Sequence, residues 1–237
     1  WTTDQPVSLL TAESAENLEN FTTNGRGPLT SNVAESGGFV RTRPGLPAPD
    51  IQFHATPVMF LGEGLVAPPE HGYSIGPTLL KPASRGSVTL ASADPAAKPV
   101  IRVNYFESEE DMASMVAGVR LAMEIAASPP LSGYEKAAYE VPASTSEDDV
   151  RTFIRRHCQT IYHPAGTCAM GVVVDAELRV LGLEGLRVVD ASVMPTVVRG
   201  NTNAPTIMIG EKASDLIRES AGSAVARAAE VAAEPAG

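Results

Sequence analysis

The first part of the chain, up to Asn104, combines loops with short stretches in which apolar and polar residues alternate. The stretch 51–58 alternates with a period of two, which is typical of a strand with one buried face. Short apolar runs predict further strands at 38–41, 73–80, 87–90 and 99–104. Because no helical pattern separates these strands, we predict an antiparallel sheet rather than parallel βαβ units.

Helical spacing of apolar residues takes over after Ser108. The segment 108–111 resembles a capping box, and the apolar residues that follow predict a helix that stops before Pro129. A second helix is predicted to start at Ser146. A third is predicted from about Asn203, as N-cap, to about Ile217, and its sequence is so apolar that we expect it to be buried.

Between the last two helices, two short apolar runs end in aspartate, at 172–175 and 186–190. Such runs are typical of buried strands. The segment after Glu219 is rich in Ala, Glu, Ser and Gly, which predicts a frayed or disordered tail.

Composition narrows the class of protein. The chain has 237 residues, enough for one large domain or two small ones, and its net charge of −10 and lack of a basic stripe argue against nucleic-acid binding. The 20 glycines and 19 prolines indicate many turns and argue against a helical bundle. No apolar run reaches the length of about 18 residues that a membrane span needs.

The two cysteines, Cys158 and Cys168, cannot build a disulfide framework, and the spacing predicts no zinc or other metal site. Three of the four histidines, His54, His71 and His157, are expected to be structural. His163 differs because Pro164 and Gly166 follow it closely and indicate a tight turn that holds the imidazole in place.

His163 can accept a proton near neutral pH, because an unperturbed histidine has a pKa of about 6.5. Asn201 lies just before the third predicted helix, whose N-terminus carries unsatisfied N–H groups and a partial positive charge. Such a helix end favours a group that becomes anionic during a reaction. The small residues after Asp190 would allow a ligand to approach the backbone closely.

Three ordered motifs now make the sequence recognisable. They are YHPAGTCAMG at 162–171, LRVVDASVMP at 186–195 and GNTNAPTIMIGEK at 200–212. They closely resemble the C-terminal half of the glucose–methanol–choline (GMC) flavin oxidoreductases, and the resemblance extends upstream through GPLTSN at 27–32, DIQFH at 50–54 and SRG at 84–86. It covers nearly the whole chain except the segment beyond about Ser220.

The resemblance implies a fold, a cofactor and roles for individual residues. It implies an α+β and α/β architecture: a mainly antiparallel substrate-domain sheet with helices, plus the closing strands and C-terminal helix of a Rossmann-like FAD domain. The implied boundaries are 1–165 for the substrate-binding domain, 166–220 for the FAD-binding part and 221–237 for the tail.

By the same resemblance, His163 takes the hydroxyl proton of an alcohol substrate while a hydride passes to flavin N5, and Asn201 matches the second active-site position. The residues implied to line the FAD are Asp190, Ala191, Asn203, Ala204 and Pro205. The role of His54, which matches a strand of the family's substrate domain, stays open.

One part of the family pattern is missing. No Gly-rich G-x-G-x-x-G motif follows any predicted strand, although GMC enzymes bind the ADP part of FAD through such a motif. We therefore expect a partner, either a second chain or a cleaved segment, that supplies the Rossmann part, and the start at Trp1 rather than Met favours this interpretation. Localisation stays open, because any targeting peptide would belong to that part.

Two other functions remain open. Some members of the family resemble hydroxynitrile lyases, which keep FAD but cleave cyanohydrins without redox chemistry. The chain could also be a non-catalytic binding remnant. The leading interpretation is the catalytic C-terminal part of an FAD-dependent alcohol oxidase or dehydrogenase.

Overall fold

The computed structural model describes the backbone of residues 1–233 and the side chains of residues 1–222. Its strands are β1 (Ser36–Val40), β2 (Ile51–Thr56), β3 (Ser74–Leu79), β4 (Ser87–Thr89) and β5 (Val100–Arg102). Its helices are α1 (Ala15–Asn24), α2 (Glu109–Ala126), α3 (Pro129–Ser132), α4 (Glu147–His157) and α5 (Asn203–Ala233). All five strands predicted before Asn104 are therefore present.

Strands β1, β2 and β3 form an antiparallel sheet with β2 in the middle, as the alternating pattern predicted. Ile51 and Phe53 alternate with Gln52 and His54 along β2, so the two pairs lie on opposite faces of the sheet. Ile51 and Phe53 join a buried cluster with residues of α2, which covers their face. Strands β4 and β5 form a separate two-stranded sheet.

Helix α2 lies against the sheet at very short range. An added Cβ at Gly118 would lie 3.2 Å from the Cβ of Pro77 and 3.3 Å from the Cδ1 of Ile51. The other side of α2 packs on α4, where Met112, Val150 and Ile154 are buried together. The apolar core of this region therefore has two layers. One lies between the sheet and α2, and the other lies between α2 and α4.

The capping box predicted at 108–111 is not formed. Ser108 occupies the N-cap position of α2, but its side chain makes no capping hydrogen bond. The carboxylate of Asp111 instead accepts hydrogen bonds from the backbone N–H groups of Ala83 and Ser84, both at 2.8 Å. The turn before β4 competes for this carboxylate, which sequence spacing alone does not reveal. Helix α4 does begin as predicted, with Ser146 accepting from the N–H of Asp149.

The prediction of two buried strands at 172–175 and 186–190 is wrong for most of these residues. They form isolated bridges, Val174 with Met170 and with Val180, and Arg187 with Arg179. Glycines at 171, 182 and 185 adopt left-handed backbone conformations, so turns interrupt the segment before strands can lengthen. Val174 is fully buried, whereas Val172 is 75% exposed.

Helix α5 differs from its prediction in length and in burial. It begins at Asn203, the residue predicted as its N-cap, and continues to Ala233 rather than ending near Ile217, because the Ala-rich segment has a high helix propensity. The tail predicted over 221–237 is therefore helical as far as Ala233, and residues 234–237 lie outside the described residues. Ala213 is buried, but Ile207 and Met208 are more than half exposed, so the apolar surface of α5 exceeds what the described chain covers.

The chain divides into two compact units. The first comprises Trp1–Gly86 and Arg102–Ile161, and the second comprises Ser87–Ile101 and the chain from Tyr162 onwards. The break at Ile161 lies near the boundary predicted at 165, whereas the assignment of 87–101 to the second unit was not predicted. Within the described part of the chain, no helix combines the length and apolar character needed to cross a membrane.

Candidate active site

His163 lies at the start of the second unit in a conformationally strained loop. Tyr162, directly before it, has a φ of 65°, which is unusual for a bulky aromatic residue and costs about 1–3 kcal/mol. Gly166 has a φ of 92°, which glycine tolerates without strain. The His163 side chain is half-buried, and burial lowers the pKa of its imidazole, so the neutral form dominates at pH 7.

The loop that carries His163 is fastened to the segment 190–194. The backbone N–H of Cys168 donates to the carbonyl of Ser192 at 3.0 Å, and that of Met170 donates to the carbonyl of Val193 at 2.9 Å. Asp190 caps the short turn at 191–193 by accepting from the N–H of Ser192 at 2.8 Å. Asp190 is exposed and Ala191 is half-buried, so both remain accessible.

The N-terminus of α5 is open to solvent. Asn201, Asn203 and Ala204 are exposed and Pro205 is half-buried, whereas Thr202 is buried and its carbonyl accepts from the N–H of Thr206 at 3.0 Å. The first turn contains no acidic residue that would neutralise the partial positive charge of the helix end. This end of α5 can therefore accept an anionic or strongly accepting group.

One apolar core connects the segment 190–194 with α5. Val193 is buried with Val174, Leu178 and Ala213, and Ile209 of α5 packs against them. The segment 190–194 therefore holds the His163 loop through hydrogen bonds and α5 through apolar contacts. All seven residues predicted for the catalytic and cofactor sites lie in the second unit.

The other histidines occupy different environments, all in the first unit. His54 lies in β2, where its Nδ1 is 3.2 Å from the hydroxyl of Thr78. His71 Nδ1 is 2.7 Å from the hydroxyl of Ser8, and His157 stacks on Phe153 with 4.4 Å between ring centroids. The structure does not place these three histidines in the unit that holds His163.

Sequence reasoning missed two buried carboxylates. Asp50 accepts hydrogen bonds from the Thr42 backbone and the Ser114 hydroxyl, both at 2.8 Å, and Asp111 anchors the turn at 83–84. Asp50 opens the DIQFH motif, and Asp111 lies in the helical pattern, but neither position signals a carboxylate buried among N–H and O–H donors. Among the residues that the structure describes, no group of three or more His, Cys, Asp or Glu side chains is arranged to hold a metal ion.

Comparison with known proteins gives consistent results. The family model for GMC oxidoreductase matches residues 82–210. An uncharacterized GMC-type oxidoreductase of Mycobacterium bovis is 47% identical over 220 residues, covering 89% of this chain and 42% of the relative. An alcohol dehydrogenase (acceptor) of Pseudomonas putida is 45% identical over 197 residues, covering 81% of this chain and 36% of the relative.

A solved structure supports the same relationship. The formate oxidase of Aspergillus oryzae, studied for the effect of a mutation on FAD modification, superposes with a TM-score of 0.77 at 25% identity. The match covers 86% of this chain and 41% of that chain. This chain thus spans less than half the length of the relatives it matches. The residues that the family model matches include the motifs around His163 and Asp190, and the motif around Asn201 as far as Gly210. The chain belongs to the GMC oxidoreductase family.

Proposed function

We propose that this chain is the catalytic part of an FAD-dependent oxidoreductase that oxidises the CH–OH group of an alcohol. The observation that carries the proposal is the half-buried His163, whose pKa is lowered by burial and whose strained loop is hydrogen-bonded to the segment 190–194. That segment shares one apolar core with α5. The family membership and the relatives that are named alcohol dehydrogenase support the class of reaction.

The residues of the second unit fit the chemistry of a flavin. A reduced flavin carries negative charge, and the exposed first turn of α5 has the partial positive charge of a helix N-terminus and contains no acidic side chain. Asn203, Ala204 and Pro205 present a short or small side chain there, and Asp190 and Ala191 lie on an accessible turn. We therefore assign these five residues to FAD binding, where FAD supplies the hydride acceptor when it is bound.

His163 and Asn201 would act on the substrate oxygen. Neutral His163 accepts the hydroxyl proton, and because partial burial lowers the pKa of this imidazole, the neutral form predominates at pH 7. The amide of Asn201 donates a hydrogen bond to the same oxygen as negative charge develops on it, which orients the substrate and stabilises the alkoxide. The division into a substrate domain (1–165) and an FAD part (166–220) is proposed on the same basis.

A further polypeptide segment completes the enzyme in this proposal. It carries the Gly-rich motif for the ADP part of FAD, and it covers apolar residues of the second unit that the described chain leaves open. These residues include Val172 at 75% exposure, Leu183 at 60%, Ile207 at 58% and Met208 at 57%. The segment can belong to the same polypeptide or to a second chain.

The test of the activity is anaerobic reduction of the flavin in the purified, FAD-loaded enzyme. We expect the visible flavin absorbance to bleach when a series of primary alcohols is added, and to return with oxygen or an artificial dye. A flavin that is unchanged by alcohols while cyanohydrins are cleaved would show a lyase. The absence of both activities and of bound flavin would show a binding remnant. Either result would contradict the proposal.

The test of the partner segment is to purify this chain with and without the segment that carries the Gly-rich motif. We expect stoichiometric FAD only when the two are together, because the chain lacks the phosphate-binding loop. If the chain alone is folded, monomeric and fully loaded with FAD, the need for the second segment is disproved.

A further inference from the structure

The loop that carries His163 must be held at both of its ends if the imidazole is to keep one position. The downstream end is fastened at Cys168 and Met170 by the backbone hydrogen bonds described above. The upstream end follows α4, whose C-cap, Cys158, donates its N–H to the carbonyl of Ile154 at 2.8 Å. Four residues lie between this cap and His163, and the first of them is Gln159.

Gln159 connects this upstream end to a turn that is distant in sequence. Its side-chain oxygen Oε1 accepts a hydrogen bond from the backbone N–H of Glu63 at 2.7 Å, across a sequence separation of 96 residues. Gln159 is half-buried, and both residues belong to the first unit. A side chain without an acceptor at position 159 would therefore break this contact.

The turn that presents the Glu63 N–H is rigid. The N–H groups of Gly64 and Val66 both donate to the carbonyl of Leu61, and the Leu61 side chain is buried. Gly62, Glu63 and Gly64 have φ values of 52°, 59° and 79°, so three successive residues are in the left-handed region. The Glu63 N–H therefore has a fixed direction and can serve as an anchor.

The chain between Gln159 and His163 includes the strained residue Tyr162, whose φ is 65°. Strained backbone persists only where the surrounding structure determines it. The hydrogen bond at Gln159 lies three residues before Tyr162 and restrains the chain on its upstream side, as the bonds at Cys168 and Met170 restrain it downstream.

We propose that Gln159 is a positioning residue for the reaction, which anchors the chain to the turn at 61–66 and thereby holds His163 where it accepts the substrate proton. Gln159 acts through His163 rather than on the substrate itself. This inference rests on the proposed function, in which His163 is the base. A displacement of about 1 Å can lower a catalytic rate by a factor on the order of 10², so the loss of an anchor affects catalysis more than folding.

The test compares Gln159→Leu with the wild-type, FAD-loaded enzyme in anaerobic flavin reduction by a primary alcohol. Leucine is similar in size but offers no acceptor to the Glu63 N–H. We expect the limiting rate to fall about three- to tenfold, as for the loss of one hydrogen bond. The alcohol concentration that gives half the limiting rate and the urea midpoint should not change. Gln159→Glu keeps an acceptor oxygen and should restore most of the rate.

A second readout does not depend on turnover. Burial lowers the pKa of His163, so a released loop should expose the imidazole and let its pKa rise toward about 6.5. NMR titration of the histidine rings in the folded enzyme without alcohol measures this pKa, and the His163 signal is identified by its absence in His163→Ala. We expect the rise in Gln159→Leu and not in Gln159→Glu.

Gln5→Leu is the matched control, because Gln5 is an exposed glutamine of the first unit whose side chain donates to the carbonyl of Gly133 at 3.4 Å. It should change neither the rate nor the pKa of His163. This inference alone is overturned if His163→Ala is slow but folded Gln159→Leu keeps the wild-type rate and His163 pKa, or if Gln159→Glu loses as much rate as Gln159→Leu. An unchanged rate in His163→Ala would overturn the proposed function as well.

Discussion

At the scale of single residues, two features of the His163 loop cost stability. The loop places Tyr162 in a left-handed conformation, and the imidazole is half-buried, so both features cost stability in the absence of a function. Such local strain persists where the surrounding structure determines it, and here the bonds from Cys168 and Met170 to the 190–194 segment do so. The strain is an observed property of this loop and supports a functional role for it.

The pH dependence of the reaction follows from the direction of the His163 pKa shift. Burial lowers this pKa, so the neutral base predominates at pH 7 and is lost as the pH falls. We expect the rate of flavin reduction by alcohol to fall on the acid side with a midpoint below the unperturbed value of about 6.5. Stopped-flow measurements over a pH series would show this, and a rate that rises on acidification would contradict it.

In the first unit, the buried carboxylate of Asp50 also has a shifted pKa. Burial alone would raise its pKa, but hydrogen bonds from Thr42 and Ser114 outweigh burial and hold the pKa below its usual range. We expect Asp50→Ala to lower the free energy of unfolding by about 2–4 kcal/mol, because buried N–H and O–H donors lose their acceptor.

Urea denaturation of the Asp50 variant would measure this loss. Since the pKa is lower in the folded state, the contribution of Asp50 is present above the pKa of the unfolded chain, about 3.9, and disappears as the pH falls through the folded value. Ser114→Ala removes one of the donors and should cost less. A difference between wild type and Asp50→Ala that does not shrink toward low pH would contradict this account.

At the scale of elements, the contact between α2 and the sheet dominates the core of the first unit. Ile51 is fully buried, and its Cδ1 lies against Gly118 of α2. We expect Ile51→Ala to cost about 2–5 kcal/mol, because it leaves a cavity under a helix that cannot move closer. Ile101→Ala is the matched control, since Ile101 is 64% exposed and should change stability by less than about 0.5 kcal/mol. Equal effects on the urea midpoint would refute this.

The elements show what the sequence pattern can predict. Strands β1 to β5 and helices α2 and α4 follow from alternation, short apolar runs and helical spacing. Strand β2 and helices α2 and α4 each have a buried face that demands such a pattern, whereas β4 and β5 are exposed in the described chain. Helix α1 was missed within a segment predicted to be loop-rich, since none of its residues is buried and only the cap at Ser14 and the turn at Gly25 indicate it. The runs at 172–175 and 186–190 have the composition of strands, but turns on each side keep them to isolated bridges.

Prediction of the site had a different basis. The residues around His163 and Asn201 predicted only a turn and a helix end. The three motifs then linked both residues to one family, and the comparisons confirm the membership of the chain in that family. The structure adds the shared core around Val193 that ties the His163 loop to α5. That core depends on contacts between residues far apart in sequence, which no local pattern contains. The roles of His163 and Asn201 stay predictions.

At the scale of the whole molecule, the second unit leaves large apolar side chains open. Ile207 and Met208 lie in the first turns of α5, and both are more than half exposed. If the FAD-bearing segment covers this surface, Ile207→Glu should weaken its association with this chain at least tenfold, because a charge would have to be buried. Val66→Glu is a control, since Val66 is 54% exposed and lies in the first unit. Analytical ultracentrifugation of the two segments, produced separately and then mixed, would measure their affinity. An equal loss of affinity in both variants would contradict the assignment of this surface to the partner segment.

The central claim is that His163 takes the substrate proton, and it is tested most directly by anaerobic flavin reduction in the His163→Ala enzyme. We predict that the rate of reduction by a saturating alcohol falls by a factor on the order of 10²–10⁴ while FAD stays bound, because a general base contributes about that much. His157→Ala, in which a histidine stacked on Phe153 in the first unit is removed, should retain the wild-type rate. An unchanged rate in FAD-loaded His163→Ala would contradict the claim.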